Sequence, residues 1–257
     1  EDGLVELMQK NKSRLKYTSD PHVAYRYPEV IIIAVGTPEK KDGSANLSYI
    51  YDAALQIAKN IEHDCLVVIK STVPIGTNEK VESYIVENLS YPVNIEVASN
   101  PEFLAQGTAV NDTLNASRIV IGVKSKKAEM ILREMYQGFN QPLVVTDRRS
   151  AEMIKYASNN FLALKISYIN EIANLCEIVG ANIEDVAKGM GLDPRIGERF
   201  LQAGVGYGGS CFPKDTKALH WLGNFNDCEL KTVKAAIEVN DNQKLKLLKK
   251  SRRYYES

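Results

Sequence analysis

The chain has 257 residues, 44% hydrophobic and 25% charged, which suits one large domain or two smaller ones with an ample core. Lysine plus arginine equals aspartate plus glutamate at 32 each, so no global field draws it toward nucleic acid or an acidic membrane. No apolar run approaches the length of a membrane span, and no signal peptide is visible.

The first residue, Glu1, already stands in a helical spacing with Leu4, Leu7 and Met8, so residues 1–11 read as the end of an amphipathic helix and the sequence as a piece of something longer. Arg14 to Thr18 reads as a short strand. Val30 to Val35 is a continuous apolar, β-branched run of the kind buried on both faces of a parallel sheet, and Gly36-Thr37-Pro38 ends it. Leu47 to Ile61 has helical periodicity. Cys65 to Ile69 is a second strand, ending at Lys70-Ser71-Thr72. Gly76 to Leu89 is helical, Val93 to Ala98 a third strand, Arg118 to Val123 a fourth, Ala128 to Gln137 a helix and Leu143 to Val145 a last strand. Strands alternating with helices predict a parallel sheet with right-handed crossovers, whose ligands sit at the carboxyl ends of the strands. The turns at Gly36-Thr37-Pro38, Ser71-Thr72-Val73 and Asn100-Pro101-Glu102 therefore converge on one edge. Each alone is an ordinary βα turn.

After Thr146 the pattern changes. Ala151 to Gly180 reads as one long helix with more apolar residues than a single stripe holds, expected to be buried on more than one side in a domain core or a dimer interface. Lys155 and Asn159 lie one turn apart on it. Ile183 to Met190 is a short helix, Asp193-Pro194-Arg195 a turn, and Glu198 to Ala203 reads as helical. Glu229 to Ser257 is a final helix, with Lys244, Lys246, Lys249, Lys250, Arg252 and Arg253 on a solvated face. The fold class is thus α/β, an incomplete Rossmann-like parallel sheet over residues 1–146. An all-α central domain with a long helix follows over residues 147–257.

The stretch from Gly204 to Leu219 carries the chemistry. Gly204, Gly206 and Gly209 spell G-x-G-x-x-G, but a dinucleotide fingerprint needs a strand before it and an apolar helix directly after it. Here the glycines read as a loop that lets a ligand approach backbone. Pro213 suits a first helical position, which places Cys211 just outside a helix N-terminus, where unpaired N–H groups and the dipole favour a thiolate. Asp215 follows one turn later, and a nucleophile with a carboxylate nearby is a catalytic arrangement. Cys65 and Cys176 lie in apolar elements and read as core; Cys228 is uninformative. The four cysteines are scattered, as expected for reduced thiols in a cytoplasmic protein. The three histidines are isolated, which argues against a metal site.

Lys70-Ser-Thr-Val-Pro74, Asn100-Pro-Glu-Phe-Leu-Ala105, Lys155-Tyr-Ala-Ser-Asn159 and Gly208-Gly-Ser-Cys-Phe-Pro-Lys-Asp215 together resemble the nucleotide-sugar dehydrogenases, the UDP-glucose/GDP-mannose dehydrogenase family. The likeness runs over essentially the whole chain. It implies most of an NAD-binding Rossmann domain and the whole helical middle region, without the opening glycine fingerprint or a C-terminal domain. It further implies a four-electron oxidation of a sugar alcohol to a carboxylate with NAD, UDP-glucose being the expected substrate. Cys211 would form a thiohemiacetal and then a thioester. Lys155 and Asn159 would surround the reacting oxygen, Asp215 would organise a water or relay a proton, Thr72 would stand near that water, and Glu102 would serve in acid–base chemistry.

By the same resemblance, Val35, Thr37, Pro38, Ser71, Thr72 and Lys214 line NAD. Glu102, Phe103, Leu104, Lys155, Asn159, Gln202, Gly206, Tyr207 and Gly208 bind the substrate. Arg195 reaches it from the partner of a homodimer built on the long helix. Gln106 departs from the relative compared, which carries glutamate there, so it is given no acid–base role. The missing parts predict that this chain alone turns over no substrate, an expectation that NADH accumulating with UDP-glucose and NAD would refute. GDP-mannose and UDP-N-acetylmannosamine are the alternative substrates. Ser210 before the cysteine, where the acetylated-sugar enzymes usually have histidine, disfavours the second. A non-catalytic dimerisation scaffold is the alternative from another class.

Overall fold

The computed structural model describes residues 1–255, without the side chains of residues 247, 253 and 254. The chain divides into two compact units. The first comprises Glu1–Pro38 and Asn46–Lys155, the second Glu39–Ala45 and Tyr156–Ser257.

In the first unit, α1 (Leu4–Lys10) and α2 (Pro21–Tyr25) precede β1 (Val30–Ile33), α3 (Ser48–Asn60), β2 (Cys65–Ile69), α4 (Thr77–Asn88) and β3 (Ile95–Ser99). Then come α5 (Ala109–Leu114), β4 (Ile119–Gly122), α6 (Lys126–Met135), β5 (Leu143–Thr146) and the start of α7 (Arg148–Val179). The five strands lie in sequence order in one sheet. The period of two along each strand sends alternate residues to opposite layers. Ile31, Ile33, Val67, Ile69 and Val97 pack with Ile50, Ile57, Val81 and Ile85 of α3 and α4. Leu66, Val68 and Ala98 pack with Ile119, Ile121 and Leu132 on the other face.

Two expectations are corrected here. Residues 14–18 are irregular and pair with no strand among the described residues. The sheet is not wholly parallel: β1–β2, β2–β3 and β4–β5 are parallel, but β3 meets β4 antiparallel, at the single pair Ser99–Gly122. That short junction leaves the β4-facing side of β3 unpaired below Ser99. Side chains close the gap: Val97 N–H donates to Glu82 Oε2 at 2.9 Å, and Arg148 Nη1 donates to Val97 O at 3.1 Å and to Glu82 Oε2 at 2.6 Å. Glu152, on the same turn of α7, accepts from the N–H groups of Gly76 at 2.5 Å and Asn78 at 2.9 Å. It supplies the anion that the N-terminus of α4 favours. The short helices α2 and α5 fall where no regular element was expected.

The second unit holds the rest of α7, α8 (Ile183–Gly191), α9 (Phe212–Phe225) and α10 (Lys231–Tyr255). Ser167 Oγ donates to Ala236 O at 2.7 Å, tying α7 to α10. Residues 198–203 are not helical: Phe200 has φ 66°, a left-handed conformation that ends any helix there. Residues 198–203 form no strand either, so the stretch still lacks the strand that a dinucleotide fingerprint needs before it. Ala163, Ile169 and Cys176 of α7 are buried, whereas Phe161, Tyr168, Leu175 and Ile178 are exposed. The expected burial on several sides is therefore not met within this chain. On α10, Lys244, Lys249, Lys250 and Arg252 are exposed, while Lys246 is half-buried against Glu177. Arg253's side chain and residues 256–257 lie outside the described residues.

Candidate active site

In the first unit the candidates gather where β1, β2 and β3 end. Parallel pairing of these three strands puts their carboxyl ends on one edge. Ser71 Oγ accepts from Val35 N–H at 2.8 Å and donates to Val35 O at 2.7 Å, and Thr37 Oγ1 donates to Thr72 O at 2.8 Å. The hydroxyls of Ser71 and Thr37 thus fasten the two turns to each other, and Pro38 follows directly. A Cβ built on Gly36 meets no atom within 4 Å, so the backbone is open to a flat ligand there. The five turn residues and this clearance fit part of a dinucleotide, held by backbone contact.

At the end of β3, Asn100 is buried and fully engaged. Its N–H donates to Ile69 O at 2.9 Å and its Nδ2 to Val120 O at 2.8 Å. Its Oδ1 accepts from Lys70 Nζ at 3.3 Å and from the Tyr136 hydroxyl. This fixes the start of the segment carrying Glu102, Phe103 and Leu104, all half-buried. The Phe103 ring lies 4.0 Å from the Arg118 guanidinium carbon and 5.3 Å from Lys155 Nζ, so it engages two cations. Burial holds the Lys70 ammonium below its ordinary pKa; the Glu102 carboxylate opposes that shift and the Lys155 charge adds to it. Lys70, Asn100 and Tyr136 were not among the expected site residues. Lys70 and Asn100 stand in the quoted motifs, but nothing in the sequence marks Tyr136.

In the second unit, Cys211 stands at the N-cap of α9 and is exposed, with its Sγ 3.8 Å from Ser210 Oγ. The helix begins at Phe212, which makes Pro213 its second residue and not its first. Asp215 is buried beneath that turn. Its N–H donates to Cys211 O at 2.8 Å, its Oδ2 accepts from Asn159 Nδ2 at 2.6 Å and its Oδ1 from Lys214 Nζ at 2.6 Å. Asn159, Asp215 and Lys214 therefore do come together, with Lys214 as the countercharge. Asn160 Nδ2 adds a bond to Asp215 O at 3.3 Å.

The glycine loop before Cys211 is pinned by amides that the sequence reading missed. Gly204 N–H donates to Asn170 Oδ1 at 2.8 Å, and Gln243 Nε2 donates to Gly204 O at 2.8 Å. Tyr207 N–H donates to Asn240 Oδ1 at 2.6 Å and Asn240 Nδ2 to Tyr207 O at 3.1 Å. Tyr207 is buried, its ring edge-on to Phe212. Its backbone groups both serve the protein, whereas Gln202 and Gly208 are exposed. Arg195 is exposed and forms a bidentate pair with Asp193 in its own turn, with 2.6 Å from Nη2 to Oδ2. Among the described residues no group of three or more His, Cys, Asp or Glu could hold a metal ion, and no helix is long and apolar enough to cross a membrane.

Residues 1–140 match the NAD binding domain of the UDP-glucose/GDP-mannose dehydrogenase family, and residues 149–242 match its central domain. The chain is 53% identical over 253 residues to UDP-glucose 6-dehydrogenase YwqF of Bacillus subtilis, covering 98% of this chain and 58% of that protein. It is 50% identical to UDP-glucose 6-dehydrogenase of Rhizobium meliloti, covering 95% and 57%. The chain thus spans somewhat over half the length of these curated relatives. Among solved structures, a UDP-glucose dehydrogenase from the archaeon Pyrobaculum islandicum superposes with a TM-score of 0.91 at 41% identity, covering 94% of this chain and 57% of that one. By fold, motifs and both domain matches, the chain belongs to the UDP-glucose/GDP-mannose dehydrogenase family.

Proposed function

We propose that this chain carries the NAD-binding and catalytic parts of an enzyme that oxidises UDP-glucose at C6 to UDP-glucuronate. The observation that carries the reading is the exposed Cys211 thiol on the N-terminal turn of α9, behind a pinned glycine loop and above the buried Asp215. The two relatives compared bear the name UDP-glucose 6-dehydrogenase, which favours UDP-glucose over GDP-mannose and UDP-N-acetylmannosamine.

NAD, when bound, supplies the hydride acceptor, and Val35, Thr37, Pro38, Ser71 and Thr72 are the residues assigned to hold it, with Lys214 beside them in role. The protein's own groups do the rest. Cys211 Sγ, as the thiolate, adds to the aldehyde carbon; the adduct becomes a thioester only by giving up a hydride to the acceptor and its hydroxyl proton to a base, and the thiolate leaves again when water adds to the thioester. Lys155 offers its ammonium to the oxygen that gains negative charge in each addition. Asn159 donates to the same oxygen or holds Asp215, and Asp215 takes the proton from the attacking water, near Thr72 in role. Glu102 shares the acid–base work, and Phe103, Leu104, Gln202, Gly206, Tyr207 and Gly208 are assigned to substrate. The stripe Phe161, Tyr168 and Leu175, spaced by sevens on α7 and exposed, supports a second copy docking there, with Arg195 contributed across that contact.

The test is alkylation by iodoacetamide, with each cysteine mapped by peptide mass spectrometry. UDP-glucose should slow modification of Cys211 and leave Cys228 unchanged. Equal labelling of Cys211 with and without UDP-glucose, or better protection by GDP-mannose, overturns the assignment.

A further inference from the structure

The glycine loop is held by a run of buried amides far from it in sequence. Asn170 and Asn174 lie one turn apart on α7, and Asn240 and Gln243 lie one turn apart on α10. Asn174 Nδ2 donates to Gln243 Oε1 at 2.9 Å, which orients the Gln243 amide so that its Nε2 reaches Gly204 O. Lys246 in turn donates to Asn174 Oδ1. Asn240 pairs reciprocally with the N–H and C=O of Tyr207, the way a neighbouring strand would.

Satisfaction of buried backbone explains only part of this. Tyr207 is buried and needs partners, but Gly204 is exposed and could be hydrated. It nevertheless takes two buried amides, one on its N–H and one on its C=O. Between the two anchored residues, Gly206 has φ 97°, and a Cβ there would run into Asn240 Oδ1. The loop is thus forced into one conformation from both sides. The N–H groups of Val205, Gly208 and Gly209 have no partner among the described residues, all three residues are exposed, and a Cβ on Gly208 or Gly209 meets nothing within 4 Å.

We infer that Asn170, Asn240 and Gln243 are positioning residues: they lock the peptide units on either side of Gly204 and of Tyr207 so that the free N–H groups of the loop are presented to the nucleotide sugar. This rests on the reading of Cys211 as part of a UDP-glucose site. A preformed donor array binds an anionic or hydroxyl-rich ligand without the entropic cost of ordering the loop at that moment.

The experiment titrates UDP-glucose against the rate of Cys211 alkylation by iodoacetamide, with Cys228 as the internal standard. It compares the parent chain with Asn240→Ala, Gln243→Ala and Ser167→Ala. Ser167 ties the same two helices without touching the loop, so it is the matched structural control. The clamp predicts that half-protection needs at least tenfold more UDP-glucose in Asn240→Ala and Gln243→Ala. Ser167→Ala should stay within twofold of the parent even where its thermal midpoint falls as far. Gln243→Ala decides the matter if Asn240→Ala fails to fold. Clamp variants protected like the parent overturn the clamp alone. So does weakening that follows the thermal midpoint across all three variants. A parent chain whose Cys211 gains no protection overturns the UDP-glucose site, and the clamp's role with it.

Discussion

The pair Glu82–Arg148 should matter more than its place at the margin of the sheet suggests. Replacing Glu82 by alanine removes the acceptor of Val97 N–H and leaves the Arg148 guanidinium without its carboxylate. The two side chains are 15% and 10% exposed, so neither loss is made good fully by water. Losing one partner of a buried pair costs about 3–5 kcal/mol, and the orphaned amide about 1–3 kcal/mol more if the terms were independent. They share one oxygen, Oε2, so they do not add. Since some solvent reaches both side chains, we expect the low end, about 3 kcal/mol. At the urea m-values usual for small proteins, that moves the midpoint by roughly 1–3 M.

The assay is urea unfolding followed by circular dichroism, with Arg148→Ala and the double variant completing a cycle. The double variant should be less destabilised than the sum of the singles. The effect should also depend on pH. The contacts of Glu82 outweigh its burial and hold its carboxyl below the ordinary value of 4.5. A carboxylate with a depressed folded-state pKa stabilises above the unfolded value and loses that contribution as pH falls through the folded value. The gap between the parent and Glu82→Ala should therefore be full at pH 7 and narrow below pH 4.5. A loss under about 0.5 kcal/mol at pH 7, the range of ordinary surface substitutions, would refute the view that this pair closes the open side of β3.

Three further outcomes follow from the packing. Gly122→Ala should cost about 1–3 kcal/mol by urea unfolding, because its Cβ would stand 2.6 Å from Ala151 Cβ and 2.8 Å from Arg148 Cα. Burial pushes the Cys65 thiol up to about 12, so in the folded chain at pH 8 iodoacetamide should modify Cys211 and Cys228 and reach Cys65 only after unfolding. Asn159→Leu should lower thermal stability by about 1–3 kcal/mol, because Asp215 loses its amide donor while staying buried.

The central strands were legible because continuous Ile and Val runs have few other places to go. β1 and β2 fall within the expected limits, and the turns that end β1, β2 and β3 lie on one edge. The reversal between β3 and β4 was not legible. It depends on one pair of residues and on an arginine 66 positions from its glutamate, and no local pattern records either. The helical reading of residues 198–203 failed at Phe200, where the loop's own geometry overrides the propensity of an apolar residue. Cys211 could be placed at a helix start from Pro213 and the glycines alone. Its amide clamp could not, because Asn170 and Gln243 are 73 residues apart and look like ordinary polar positions on two amphipathic helices.

Cys211 and Asp215 read as a nucleophile with its carboxylate, yet the way α9 begins gives them different surroundings. The thiol is exposed and the carboxylate lies underneath, with Oδ1 bound to Lys214 and Oδ2 to Asn159. The thiol stands instead at the first turn of α9. There Pro213 carries no N–H, and the N–H groups of Phe212 and Lys214 remain without the helical acceptors that later residues have. Each carboxylate oxygen of Asp215 already carries one donor, Lys214 on Oδ1 and Asn159 on Oδ2. Of the two, Lys214 has the longer and more mobile side chain, and it is also the residue assigned to the cofactor. Drawing its ammonium toward a bound phosphate would take the countercharge away from Oδ1. Lys214→Met should remove that countercharge permanently. It should also lower the thermal midpoint, since the buried carboxylate keeps its amide but loses its charge partner. Lys214→Arg should restore the midpoint.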